Sequence, residues 1–312
     1  MQFLVTGGAG FLGTALANRL VAEGHQVRVM DDLSAGDPAR LDRRVLFTRG
    51  NVLDRPKLWT LLQDVDCVYH LAARVLVSES MLYPREYNEV NVGGTVSVME
   101  AMRDAGVRRV VFTSSGAVYG EQAHQPVAED QLPNPQSPYA VSKLAAEYYV
   151  RTIGALWGIE TVVLRIFNAY GPGQHLPASH PPVVPRFLQQ ALRGGTVVIF
   201  GSGAQSRDFV YVDDVVEALR AAATADVERR IINVGSGRET SINDLAAAVA
   251  RACDQAIEVL HSPAESGGVS RLCADITLAR RLLGYEPHVG LEEGLRMTME
   301  QDPRFPHGPT GT

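Results

Sequence analysis

Short apolar runs rich in Val, Leu and Phe alternate along the chain with longer stretches whose apolar residues recur at helical spacing. Residues 1–6 read as a strand that enters Gly7-Gly8-Ala9-Gly10-Phe11-Leu12-Gly13. A helix over 14–24 and a strand over 26–30, closing on Asp31-Asp32, follow. The alternation continues with strands at 44–48, 66–71, 107–115 and 160–166, and helices at 54–62, 81–105 and, after Pro138, 139–158. Strands that are almost wholly apolar, each followed by a helix, predict a parallel sheet covered on both faces. The expected fold is α/β, a Rossmann-like doubly wound sheet.

The texture changes after Phe167. Residues 170–185 are rich in Pro and Gly and read as a long covering loop rather than a helix. A short helix at 186–193 and a strand at 197–200 come next, then a strand over 207–214 that leads into a helix with Asp213 or Asp214 near its start. A strand at 231–234, a helix capped by Ser241 and running to Cys253, a strand at 257–260 and helices at 275–283 and 291–299 complete the pattern. The expected organisation is a dinucleotide-binding domain from 1–166 plus about 208–235. A smaller α+β substrate-binding cap takes about 167–207 plus 236–301, and 302–312 is a flexible tail.

Composition narrows the function classes. The chain has 312 residues, 46% of them apolar and 21% charged, with a net charge of −6. That balance is ordinary for a globular protein and speaks against an electrostatic nucleic-acid partner. Cys67, Cys253 and Cys273 lie far apart with no CxxC spacing, as expected of reduced thiols in a cytoplasmic protein. The first apolar run stops at glycines after Val5, so no signal peptide is expected. No stretch approaches the ~20 apolar residues of a membrane span. His175 and His180 share the covering loop without a Cys or carboxylate partner, so no metal site is expected.

The candidate chemistry lies at the ends of the strands. In a strand–turn–helix context, Gly7 permits a tight turn, Gly10 lets backbone approach a pyrophosphate at the helix start, and Gly13 lets helix pack on strand. Asp31 follows Gly13 by 18 residues, where a carboxylate accepts hydrogen bonds from an adenosine ribose and repels a 2′-phosphate, favouring NAD over NADP. Tyr139 and Lys143 stand one turn apart on one helix face, and a cation beside a phenol lowers its pKa and makes a proton-transfer device. Taken alone, the pair also fits an aromatic at the core edge with a solvated lysine. Ligands in such sheets bind at the carboxyl ends of strands. That rule gathers the glycine turn, Asp31, Leu71-Ala72-Ala73, Ser114-Ser115 and Asn168 around one crevice with Tyr139.

Together GGAGFLG, HLAA at 70–73, NVGGT at 91–95, TSSGAVYG at 113–120, YAVSK, RIFNAYGPG at 165–173 and RDFVYVDDV at 207–215 resemble the extended short-chain dehydrogenase/reductase family. Within it, the resemblance is to the NAD-dependent sugar-nucleotide epimerases and dehydratases. The resemblance implies that Ser115, Tyr139 and Lys143 are catalytic, with Lys143 also holding the nicotinamide ribose beside Tyr139. It implies that Gly7, Gly10, Phe11, Leu12, Gly13 and Asp31 line NAD, joined by Asp32, Ser34, Asn51 and Val52. Leu71, Ala72, Ala73 and Asn91 would complete that wall. Asn168 and Arg207 would contact the nucleotide diphosphate, for which an arginine fork is suited. A surface ion pair of Arg207 with Asp208 or Asp213 is the alternative.

The positions after Ser115 are Gly116 and Ala117, where the family's dehydratases and decarboxylases carry acids. Elimination of water needs an added acid and base, so the resemblance is closest to UDP-sugar 4-epimerases. These act by transient oxidation to a 4-keto sugar with NAD retained. UDP-glucuronate epimerisation, a one-way 4-ketoreductase or dehydrogenase, and a non-catalytic nucleotide-binding sensor stay open. Arg186, past the covering loop, would read a C6 carboxylate or simply sit on the cap helix. Arg74 stands close to the sugar region, where the family usually has a smaller or neutral residue. Asn51 replaces a usual Asp, and Glu265 occupies the position of a second diphosphate arginine, for which Arg271 would substitute. The faces VMEAM and LAAEYYV would pair two copies as a homodimer.

Overall fold

Alternate side chains of the first strand enter two separate cores, which makes the sheet a wall between layers. Phe3 and Val5 belong with Leu16 and Leu20 on one side, whereas Leu4 belongs with Leu58 and Met102 on the other. This is the period-two rule of an extended chain acting on a strand buried on both faces. The structure, a computed structural model, describes residues 1–177, 180–263 and 268–305.

The strands in chain order are β1 (Gln2–Thr6), β2 (Gln26–Asp31), β3 (Leu46–Arg49), β4 (Cys67–His70), β5 (Arg109–Ser115), β6 (Glu160–Ile166) and β7 (Asn168–Tyr170). They continue as β8 (Thr196–Phe200), β9 (Ser206–Arg207), β10 (Phe209–Tyr211), β11 (Arg230–Val234), β12 (Thr240–Ser241), β13 (Glu258–Ser262) and β14 (Arg271–Leu272). Seven of them form one parallel sheet in the order β11-β6-β5-β4-β1-β2-β3. The chain therefore winds outward from β1 through β3, then returns to start again at β4 on the other side. The crevice between β1 and β4 is the topological switch point, where open α/β sheets take their ligands.

The helices are α1 (Phe11–Ala22), α2 (Arg55–Leu61), α3 (Val77–Leu82), α4 (Pro84–Tyr87), α5 (Gly94–Ala105) and α6 (Pro138–Trp157). After them come α7 (Val183–Gly194), α8 (Val212–Thr224), α9 (Ile242–Cys253), α10 (Thr277–Leu283) and α11 (Leu291–Gln301). Helices α1 and α8 cover one face of the sheet, and α2, α5 and α6 the other. Beyond β6, small sheets pair β7 with β10, β8 with β13, and β9 with β12 and β14. They stand with α7, α9 and α11 over the carboxyl ends of the main strands.

Four segments differ from the sequence reading. The expected single helix over 81–105 is three pieces: it breaks at Tyr83, because the residue before a proline is driven from the helical region, and it widens into a π-turn at Asn88–Gly93. Helix α7 starts at Val183 inside the expected loop, since Pro185 falls in the first turn, where a missing N–H costs nothing. Of the expected return 208–235, only β11 joins the main sheet; β10 pairs with β7 instead. The expected tail is packed at its start, with Asp302 and Phe305 each 2% exposed. Residues 306–312 lie outside the described residues.

One ion pair sits wholly inside the sheet–helix interface. Arg165 on β6 forks onto Glu147 on α6, Nε to Oε1 at 2.9 Å and Nη2 to Oε2 at 2.7 Å, with both side chains at most 3% exposed. The guanidinium also lies 4.6 Å from the Tyr119 ring. Removing one partner strands the other charge in a low-dielectric interior, which costs far more than replacing both. Arg165→Met is therefore expected to lose about 3–5 kcal/mol in urea unfolding, and Arg165→Met with Glu147→Leu to recover most of it.

The candidate active site

Gly7 turns out of β1 with φ +70°, and a Cβ there would lie 2.7 Å from the Ala72 backbone at the end of β4. A Cβ on Gly13 would lie 2.2 Å from the Gly7 carbonyl oxygen. Both positions therefore exclude any side chain. A Cβ on Gly10 would lie 3.2 Å from the Gly7 carbonyl oxygen, a tighter fit than usual but far less severe than at Gly7 or Gly13, and its absence leaves room for a ligand. Gly10 opens α1 without a side-chain cap, which leaves first-turn amides facing outward as an anion cradle. Asp31, at the end of β2, braces this loop: Oδ2 accepts from the Ala9 amide at 3.0 Å and Oδ1 from the Leu33 amide at 2.8 Å. Burial raises its carboxyl above the usual range and the amides pull it partly back.

A cleft of about 710 Å³ runs from this cradle across the switch point. Gly7, Gly10, Phe11, Leu12, Gly13, Asp31, Asp32 and Ser34 line one end. Asn51, Val52, Leu71, Ala72 and Ala73 continue the wall. Ser115, Tyr139, Lys143, Asn168 and Arg207 line the rest. A pyrophosphate cradle with a ribose-facing carboxylate at one end fits a dinucleotide such as NAD.

Three expected site residues fall outside the lining. Asn91, 1% exposed, is a clamp: its Oδ1 accepts from the Arg74 amide at 2.8 Å and its Nδ2 donates to the Arg74 carbonyl at 3.0 Å and to Ser142 Oγ at 2.9 Å. The π-turn aims it inward, and Ser142 in turn donates to the Tyr139 carbonyl at 2.7 Å. Arg186 is sandwiched between the Phe187 and Phe200 rings, 5.2 and 5.1 Å away. Arg271 forks onto Glu239, both contacts at 2.6 Å. Glu265, considered beside it, lies outside the described residues.

Ser115 ends β5, and its Oγ accepts from the Ala117 amide at 3.1 Å, leaving the hydroxyl proton free to donate. Tyr139 stands in the first turn of α6, which Ser137 caps at the Ala140 amide. Burial raises the Tyr139 phenol above its ordinary value, and the Ser115 hydroxyl beside it draws it partly back. This is opposite to the direction expected from Lys143, which is itself penalised: burial brings its ammonium down to about 8, with Glu147 opposing. Lys143 Nζ lies 4.6 Å from the Phe112 ring centre. Below the triad, His70 bonds Thr6 Oγ1 at 2.7 Å and Thr95 Oγ1 at 3.0 Å, and burial lowers it to about 3, so it stays neutral.

Arg207 presents its guanidinium to the cleft and donates Nη1 to the Ser206 carbonyl at 2.7 Å. The alternative pairing with Asp208 or Asp213 is not formed among the described contacts. Asp208 instead accepts from Ser236 N, Ser236 Oγ, Gly237 N and Ala274 N at 2.6–3.1 Å. Arg74 also lines the cleft, with its two ends on Glu79 and Glu86 at 3.0 and 2.6 Å. The sequence reading missed Gln174, Pro182 and Leu272 in the lining. Gln174 and Pro182 lie in the loop already expected to cover the site, and nothing in the pattern singles out Leu272.

The model of the NAD dependent epimerase/dehydratase family matches residues 3–235. A UDP-glucose 4-epimerase of Mycolicibacterium smegmatis is 41% identical over 308 residues, which cover 96% of this chain and 98% of that protein. The crystal structure of a UDP-glucose 4-epimerase of Thermotoga maritima with UDP-glucose matches with a TM-score of 0.92 at 36% identity, over 96% of this chain and 98% of that one. That of a Thermus thermophilus UDP-glucose 4-epimerase in complex with NAD matches with a TM-score of 0.89 at 36% identity, over the same shares.

The buried lysine has a cost that can be measured. Its proton is held less tightly in the folded protein, near 8, than in the unfolded chain, near 10.5. Stability therefore rises as pH climbs from about 8 toward 10.5, and the full penalty is present below about 8. Lys143→Met is expected to stabilise the protein by about 1–3 kcal/mol near neutral pH and to flatten that rise, while turnover falls about 100-fold or more. Urea unfolding at about pH 7 and about pH 9.5 checks the first two expectations.

Proposed function

The chain belongs to the NAD dependent epimerase/dehydratase family, and from that premise we propose that it interconverts the C4 epimers of a UDP-hexose of the glucose/galactose type. The observation that carries this reading is the distribution of carboxylates. Among the described residues lining the cleft, the only acids are Asp31 and Asp32, both at the dinucleotide end. Around Ser115, Tyr139 and Lys143 there is thus no carboxylic acid to expel water from a sugar, and Gly116 and Ala117 have no proton to give. What these residues support is removal and return of a proton at one hydroxyl.

The geometry supports the following roles. NAD held by the Gly7–Gly13 cradle and Asp31 would supply a reversible hydride acceptor and, when oxidised, a positive charge. Ser115 donates to the reacting sugar oxygen. Tyr139 takes the hydroxyl proton and later returns it, and its burial makes the return favourable. Lys143 offsets phenolate charge. Arg207, with no carboxylate ion pair among the described residues, holds the diphosphate while the sugar turns over. A uronate substrate loses its support: Arg186 lies outside the lining, and Arg74 already carries two glutamates.

A homodimer in the cytoplasm completes the reading. Of the two expected faces, VMEAM is spent inside the chain, with Val98, Met99 and Met102 buried in the second core, whereas on α6 Val141, Tyr148 and Leu156 lie along one face and are 52%, 59% and 74% exposed. An apolar stripe at helical spacing left in water is the mark of a partner surface, and a twofold axis lets it cover itself. All three cysteines are free, as suits a reducing compartment. Among the described residues no helix is long and apolar enough to cross a membrane.

UDP-glucose and UDP-galactose should interconvert with no NAD added, since the cofactor is regenerated each cycle. Tyr139→Phe should lower kcat by about 100- to 10,000-fold. Turnover only with stoichiometric NAD(H) would instead identify a one-way ketoreductase, and nucleotide binding without any turnover a sensor. Tyr148→Glu with Leu156→Glu should shift the mass in light scattering from dimer to monomer; a mass unaffected by the pair would remove the α6 face from the interface.

A further inference from the structure

Arg40 lies outside every motif considered above. It ends a short turn, Pro38–Arg40, whose start Asp37 caps by accepting from the Ala39 amide at 3.0 Å. That turn is tied to the dinucleotide half at two points. The Asp37 amide donates to the Ala9 carbonyl inside the glycine loop at 2.9 Å. Asn18 on α1 donates to the Arg40 carbonyl at 2.9 Å and accepts from the Asp42 amide at 2.7 Å.

From this base the Arg40 side chain reaches across to the other half of the cleft. Nη1 donates to the Gly173 carbonyl at 2.9 Å and Nη2 to the Pro172 carbonyl at 3.2 Å. The same segment is held from its other edge. Asp302 Oδ2 accepts from the Gly173 amide at 2.6 Å, and Arg304 Nη2 donates to the Gln174 carbonyl at 2.8 Å. Arg304 also forks onto Asp302, with contacts at 2.9 and 2.6 Å. Gly173 has φ +76°, and a Cβ there would lie 1.7 Å from Arg40 Nη2. The glycine leaves the space that the guanidinium fills. The next two residues, Gln174 and His175, line the cleft.

We propose that Arg40 is a positioning residue for the sugar-nucleotide: rooted on the dinucleotide side, it fastens Pro172 and Gly173 so that Gln174 and His175 form a fixed wall of the cleft. It touches no reacting atom. A cation suits the task because two backbone carbonyls converge there and a guanidinium fork satisfies both at once. The role rests on the reading that the cleft binds a sugar-nucleotide, and it assigns the substrate-side wall partly to a residue of the dinucleotide side. Ordering at one end is then felt at the other, and such coupling is reciprocal.

The test compares holoenzyme carrying Arg40→Gln, Arg40→Lys, Gly173→Ala, or Arg40→Gln with Gly173→Ala. KM and kcat for UDP-glucose and hydrogen exchange at residues 173–176 are measured for each. Arg40→Gln should raise KM about 5- to 20-fold with kcat within about twofold, and should speed exchange at Gly173 and Gln174. Arg40→Lys should recover part of the affinity, since one carbonyl is still met. Gly173→Ala should expel the guanidinium and copy Arg40→Gln, and the double variant should be no worse than the single ones, because all act through one contact. Unchanged KM or unchanged exchange in Arg40→Gln overturns the proposal. So does a fall in kcat with loss of bound NAD, which marks general damage. If the unsubstituted protein fails to turn over UDP-glucose, the functional reading falls and the exchange experiment alone decides the role of Arg40.

Discussion

The structure depends on a place where no side chain fits. The turn out of β1 passes so close to the end of β4 that Gly7 and Ala72 share a single van der Waals gap, and α1 seats on the turn only because Gly13 is bare. From that close approach the remainder of the dinucleotide end follows. The helix must begin on a residue with nothing to cap it, so its first amides are left for an anion. The carboxylate ending the next strand then has two tasks, holding the Ala9 amide and facing the cleft. A bulky residue at either glycine would separate the strand ends that define the crevice.

Electrostatics divides the cleft in the same way. Its acids lie at one end, while Lys143 and Arg207 face the other with burial working against both cations. Among the described residues neither has a carboxylate partner in the cleft, so each is available to a negatively charged oxygen. The compensation lies behind the site: Glu147, one turn beyond Lys143, supports the lysine charge and is itself neutralised by Arg165. Lys143, Glu147 and Arg165 together leave one net positive charge, and it lies on the lysine that faces the cleft.

Much of this is legible in the chain. β1, β5 and β6 fall within a residue or two of their expected bounds because apolar runs stop at glycine, serine or asparagine, and the glycine turn with Asp31 carries its own geometry. The failures have physical causes. Periodicity over 81–105 continues through Pro84 and the π-turn, because amphipathic spacing tolerates an altered turn that backbone geometry does not. Position along the chain brings Arg186 and Arg271 toward the site, but direction decides their partners: a stack of aromatic rings and a glutamate. Asn91, expected at the ligand, acts on the backbone instead. The start of the expected tail, rich in proline, conceals Asp302 and Phe305, whose packing depends on partners more than a hundred positions away.

That last contact has a consequence for synthesis. The glycine turn, Asp31 and the strands that hold them are complete once about half the chain has left the ribosome, and domains generally fold as units while translation proceeds. The segment at Pro172–Gln174 lacks its second edge until Asp302 and Arg304 have emerged. A nascent chain thus passes through a stage at which one nucleotide pocket is built and the other has an unfastened wall. The order of emergence allows the dinucleotide pocket to form before the substrate-side wall is fastened.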